Sequence, residues 1–291
     1  MPRSRVAVTP WLLLLPALAL LAAFTHWPAL ATVWDSVLST PRKARPAHFI
    51  GTGNYATMVD DEVFWHALVN NVVYAIGTIP LAIALAIAMA LWVDRRLAGR
   101  AFLRLAYFTP TVLPMIAVAN IWLFFYTPQY GLLEQITHAL GLASHNWLGD
   151  RRTALGALIV VAVWKEAGFF MIFYLAALQQ IPPQLAEAAA LEGASRAQYF
   201  RRVLFPLLMP TTLFVLVNAF INSVRMVDHL FVMTRGGPDN ASMLLLYYIY
   251  QVGFSFWDTG YAAALTVVVL VALAAIAFFQ LRVLDPRTHY R

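Results

Sequence analysis

Glu187-Ala188-Ala189-Ala190-Leu191-Glu192-Gly193-Ala194, followed by Phe200, Val203, Pro206 and Pro210, is the stretch whose reading decides the fold. It lies in a polar loop between two long apolar segments, where an ordinary connector would be irregular and hydrophilic. Its residues instead predict two short helices broken at a glycine. Pro182 and Pro183 suit a first helical turn, where a missing N–H costs no hydrogen bond. Leu185 to Leu191 is alanine-rich and strongly helix-favouring. Gly193 ends that helix, as glycine does just past a C-terminus. Ser195, with Gln198 three residues later, has the capping-box pattern that opens the next one. The plainer alternative is an alanine-rich connector with no further role.

Around this loop the 291 residues are 61% hydrophobic and only 12% charged, about half the charge content of a soluble domain. A helix needs roughly 20 apolar residues to cross the hydrocarbon core. Six stretches qualify, at about 11–34, 67–93, 102–126, 154–178, 203–224 and 261–281. The expected fold class is therefore an all-α integral membrane bundle of six spans. Arg3 and Arg5 before the first apolar run resemble a signal peptide, but that run is long and lacks a clear cleavage site, so it is read as an uncleaved span. With no cysteine, disulfides, thiolate metal sites and thiol chemistry are excluded.

The net charge of +6 follows membrane topology. Arg3, Arg5, Arg95, Arg96, Arg100, Arg104, Arg196, Arg201, Arg202, Arg282, Arg287 and Arg291 fall on one side. Arg42, Lys43, Arg45, Arg151, Arg152, Arg225 and Arg235 fall on the other, and Lys165 lies inside a span. The positive-inside rule places both termini and the Glu187 loop in the cytoplasm. These basic residues form small juxtamembrane groups and no continuous patch, which argues against nucleic acid as a partner.

The pattern EAA-x-x-E-G-A, followed by Phe200, Val203, Pro206 and Pro210, resembles the cytoplasmic loop of permease subunits of ABC importers. Glu192 stands where that family commonly has Asp. Phe49-x-Gly51-x-x-Asn54-Tyr55, Trp164, the exit from Ala177 to Pro182, Gly236-Gly237-Pro238, Tyr248-Ile249-Tyr250 and Gly260 to Ala264 extend the likeness to maltose- and glycerol-3-phosphate-type carbohydrate permeases. The resemblance implies the type I permease fold and a multi-pass protein of the bacterial cytoplasmic (inner) membrane. It implies four kinds of partner: a second homologous permease subunit, two copies of an ABC ATPase, an extracytoplasmic substrate-binding protein, and membrane lipid. It also implies a coupling role for Glu187, Ala188, Ala189, Glu192, Gly193, Ala194, Phe200 and Pro206. The expected organisation is a tail, first span and external loop over 1–66, a five-span core over 67–281 with the coupling loop at 180–204, and a cytoplasmic tail over 282–291.

No G-x-x-x-x-G-K-[ST] occurs, so nucleotide binding through a P-loop is not expected here. ATP and magnesium belong on the partner ATPase; this chain is expected to have no catalytic residue, cofactor or metal. Its seven histidines are scattered, without metal-ligand spacing. Polar residues inside spans are the better clue. Lys165 and Glu166 lie mid-span, where a charge costs about 2.5–3.5 kcal/mol even on insertion scales. Adjacent helical positions point about 100° apart, so the two need separate partners. Arg225 and Asp228 have pairing distance along a helix. The resemblance places Lys165, Glu166, Phe169, Asn222, Ser223 and Arg225 on a solute pathway. Interhelical pairing of the charges stays open beside it, as does a lipid-facing role for Phe169, Phe170 and Phe173. The rival class is an ion-coupled secondary transporter using Lys165 and Glu166, which would leave the loop unexplained and for which no internal repeat is visible.

Overall fold

The computed structural model describes residues 8–42, 45–94, 99–141 and 143–284, and among these the regular structure is helical. Both chain ends lie outside the described residues. The helices are α1 Val8–Leu21, α2 Trp27–Asp35, α3 Gly53–Val59, α4 Glu62–Asp94, α5 Arg100–Val112, α6 Met115–Tyr126, α7 Leu132–Ala139 and α8 Ala154–Leu178. They continue as α9 Gln184–Leu191, α10 Arg196–Tyr199, α11 Phe205–Leu207, α12 Met209–Arg225, α13 Asp228–Met233, α14 Leu245–Tyr250 and α15 Thr259–Leu284. Five long apolar helical segments are able to cross a membrane, at Trp11–Asp35, Glu62–Asp94, Ala154–Leu178, Met209–Met233 and Thr259–Gln280. The α5–α6 pair makes a sixth when its two halves are taken as one broken span.

That break was not expected from the apolar run at 102–126. α5 and α6 meet at 102°, and the cause is Pro114. A residue before proline is pushed out of the helical region, and Leu113 is extended, with ψ 137°. The fifth span also starts later than 203. Pro206 and Pro210 stand in the first turns of α11 and α12, so one opens a three-residue helix and the other the long helix of the span.

The chain divides into two compact units. The first comprises residues 1–61 and 249–271. In it the external loop is folded back on the end of α2. Asn54 Nδ2 donates to the carbonyls of Ser36 at 2.8 Å and Leu38 at 2.9 Å, and Tyr55 shares a 2.8 Å hydrogen bond with Ser36 Oγ. Thr40 bonds Asp258 through its hydroxyl and accepts from Gly260 N–H. A side chain at Gly260 would press against the Leu38 carbonyl. These contacts explain why Asn54, Tyr55 and Gly260 are needed where they stand.

The second unit, residues 62–248 and 272–291, holds the core. α4 is about 50 Å long at 1.5 Å per residue; it packs along α8, and its buried Ala75, Ala82, Ala86 and Ala90 lie in the core cluster that also holds residues of α8. Small residues let helix backbones approach closely, which is how helices associate where lipid removes the hydrophobic drive. α8 is the most enclosed span. One of its faces meets α4, another α5 and a third α12.

Topology has a direct check. Single cysteines introduced into this cysteine-free chain at Asp60 and Asp239, both exposed, are expected to react with impermeant thiol reagent in intact cells. A cysteine at Glu192 is expected to react only after the cytoplasmic side is opened. Labelling at position 192 from outside would overturn the six-span arrangement with a cytoplasmic loop.

Candidate functional site

Two sites are built by this fold. The first is the loop between α8 and α12. Pro183 occupies the position before the first turn of α9, and the helix ends in a complete Schellman arrangement. Ala194 N–H donates to Ala189 O at 2.9 Å, Gly193 N–H to Ala190 O at 3.0 Å, and Gly193 has φ +75°. This is the left-handed residue that satisfies the orphan carbonyls of a helix end. α10 then opens on a reciprocal capping box: Ser195 N–H donates to Gln198 Oε1 at 2.7 Å, and Gln198 N–H to Ser195 Oγ at 3.3 Å. Glu187, Ala188, Glu192 and Gly193 are exposed and Ala189 and Ala194 half-buried. Leu191 is 91% exposed, so α9 shows apolar surface that its own chain does not cover. Phe200 is different. It packs on Phe205 at 5.9 Å between ring centres and joins the core with Leu204 and Leu208. The loop thus has a free outer helix and an anchored inner end.

The second site is the polar centre of the bundle. Lys165 and Glu166 leave α8 on different faces, as their spacing requires. Lys165 Nζ donates to the carbonyls of Pro110 at 3.0 Å, Thr111 at 3.4 Å and Leu113 at 2.6 Å. Glu166 instead receives Asn222 Nδ2 from α12, at 3.1 Å and 3.3 Å from its two oxygens. Glu166 and Asn222 border a narrow cavity of about 10 Å³ with Tyr74, Thr78, Phe170 and Ser223, room for roughly one water molecule. Phe169 stacks edge-on to Phe173 at 5.1 Å, and Phe173 reaches Phe214 of α12. Arg225 is exposed at the end of α12 and Asp228 at the start of α13. No ion pair joins them, because the helix stops at Met226 between them.

Sequence reasoning missed the residues of α4 that complete this centre. Asn71 bridges two elements: its Nδ2 donates to Ser223 O at 3.3 Å and its Oδ1 accepts from Leu245 N–H at 2.9 Å. Asn70 holds the carbonyls of Asn240 and Met243 at 2.9 and 3.0 Å, pinning the segment after Gly236-Gly237-Pro238. Tyr74 OH lies 3.1 Å from His229 Nε2, both rings fully enclosed. The available signal was the pair Asn70-Asn71 inside an otherwise apolar run, since buried amides need partners.

Residues 79–290 match the family described as "binding-protein-dependent transport system inner membrane component". The sn-glycerol-3-phosphate transport system permease protein of Agrobacterium fabrum is 31% identical, with 97% of each chain covered. The trehalose/maltose transport system permease protein of Thermococcus litoralis is 31% identical over 97% of this chain and 95% of its own. The fold is that of a bacterial ABC transporter solved as an importer of the acidic polysaccharide alginate, with a TM-score of 0.86 and 22% identity over 97% of this chain and 96% of that one. The apolar spans, the loop and these likenesses make this a multi-pass inner-membrane protein. The chain belongs to the family of inner-membrane components of binding-protein-dependent transport systems.

Proposed function

We propose that this chain forms half of the membrane pathway of an ATP-driven importer for a carbohydrate or carbohydrate-derived solute, and that α9 is its contact with the ATPase. The observation that carries the reading is the loop: an eight-residue helix with uncovered apolar surface, held at a fixed angle to an inner end seated in the core. Glu187 supplies charge to an ATPase groove and Ala188 and Ala189 allow close approach. Glu192, Gly193 and Ala194 set the corner, and Phe200 and Pro206 pass its motion to the fifth span. ATP and magnesium act on the partner, so this chain performs no chemistry.

The pathway surface we assign to Glu166, Phe169, Asn222, Ser223 and Arg225. Carboxylate, amide and hydroxyl groups offer sugar hydroxyls both donors and acceptors, and Phe169 offers an apolar ring face. The solute class rests on relatives named for glycerol-3-phosphate, sulfoquinovosyl glycerol and trehalose or maltose transport. An ion-coupled carrier built on Lys165 and Glu166 has no support from the family to which the chain belongs.

The test is uptake of labelled glycerol 3-phosphate, maltose and trehalose by cells with and without the gene, in a background carrying the neighbouring transport genes. Loss of uptake of at least one of these on deletion, restored by the wild-type gene, is expected. A strain that takes up all three unchanged would sink the solute assignment, and uptake that persists with the partner ATPase inactivated would sink the ATP-driven reading.

A further inference from the structure

Three backbone carbonyls converge on one side chain at mid-membrane depth, and the reason is written in the prolines. In an unbroken helix the carbonyl of Pro110 would accept from the N–H four residues on, but that residue is Pro114, which has none. Leu113 and Pro114 are both extended, with ψ 137° and 142°, so Thr111 and Leu113 also lose their helical donors. No water is at hand in hydrocarbon to replace them. Lys165 Nζ reaches all three carbonyls at 2.6–3.4 Å. An ammonium has three donors and no acceptor, so its capacity is spent there, and the side chain is only 8% exposed. The positive charge also sits at the C-terminal end of α5, where the helix dipole favours a cation.

One turn along the same face of α8, Gly168 lies so close to α5 that any side chain would collide with the Tyr107 carbonyl. Lys165 and Gly168 therefore define a single contact: backbone against backbone, locked by an ammonium.

We propose that Lys165 is a positioning residue that supplies the donors missing at Pro114 and so fixes the bent α5–α6 span against α8, leaving Glu166 as the one of these two charges that faces the cavity. This goes beyond the proposed function, which is silent on how the broken span is held. The resemblance places Lys165 on the solute pathway; in this reading its donors are instead spent on the chain's own backbone.

The test uses the full-length chain expressed with its partners. Cysteines replace Phe108 and Ile172, which border one groove between α5 and α8, and are joined by a short bifunctional thiol reagent in membranes. With Lys165 intact this yield is the reference. Lys165→Met is expected to lower it at least five-fold, whereas Lys165→Arg, which keeps charge and donors, stays within about two-fold. Adding Pro114→Ala to Lys165→Met returns an N–H toward Pro110 and recovers at least half of the loss. An unchanged yield in Lys165→Met, or equal losses in the Met and Arg variants, would overturn the proposal. If Lys165→Met does not accumulate in the membrane, accumulation becomes the readout: restoration by Pro114→Ala supports the proposal and failure to restore rejects it. The cross-link needs no transported solute, so an error in the solute class leaves this result standing.

Discussion

Gly193→Val is expected to reduce uptake at least ten-fold while the chain still inserts at normal levels. Nothing lies within 4 Å of where a Cβ would stand at Gly193, so the penalty is purely conformational. At φ +75° a β-branched residue is strained, on the order of 1–3 kcal/mol. α9 is too short to hold its own ends without a cap. The strain is relieved by breaking the Schellman bonds, which changes the angle between α9 and α10. Asparagine tolerates the left-handed region, so Gly193→Asn is expected to keep most of the activity. The measurement is uptake together with stimulation of the partner ATPase, at matched membrane expression. Wild-type transport by the valine variant would show that this corner does not transmit motion.

The second large effect is expected at Gly168. Here space decides, because a side chain would strike the Tyr107 carbonyl, a backbone atom that has no rotamer by which to yield. Overpacking costs about 1–3 kcal/mol where side chains adjust, and more where they do not. Gly168→Val should push α5 away from α8 and draw the Pro110, Thr111 and Leu113 carbonyls off Lys165. Membrane accumulation at 37 °C and the thermal midpoint of the purified protein should both fall sharply. Gly156 on the same helix is the control, since a side chain there meets nothing within 4 Å. If Gly156→Val and Gly168→Val lose the same amount, close packing at Gly168 is not what holds the span.

Much of this was legible in the sequence, for identifiable reasons. α8 occupies the residues its apolar run marked, 154–178, because Thr153 and Gln179 are flanked by polar residues that cannot enter hydrocarbon. The two loop helices could be read from Pro183, Gly193, Ser195 and Gln198 because caps act within a few residues. The bend between α5 and α6 was hidden, since hydropathy is blind to direction and Pro114 sits in a run that is apolar enough to span. Lys165 and Glu166 were visible as charges needing partners. A search for opposite charges could not find carbonyl oxygens, which carry no letter in the sequence. Arg225 and Asp228 had helical pairing distance, but pairing presumes a continuous helix, and α12 ends between them.

Only Glu192, Gly193, Ala194 and Ser195 separate α9 from α10, and the N–H of every one of the four is already bonded. Such a corner has little conformational slack. A connector of four free residues would absorb a displacement as a change in its own conformational entropy. In the coupling role proposed above, this one is built to pass a push on α9 to Phe200 with little backlash, and a pull equally. Stiffness of this kind is set by hydrogen bonds within the chain, and the corner is therefore finished before any partner arrives.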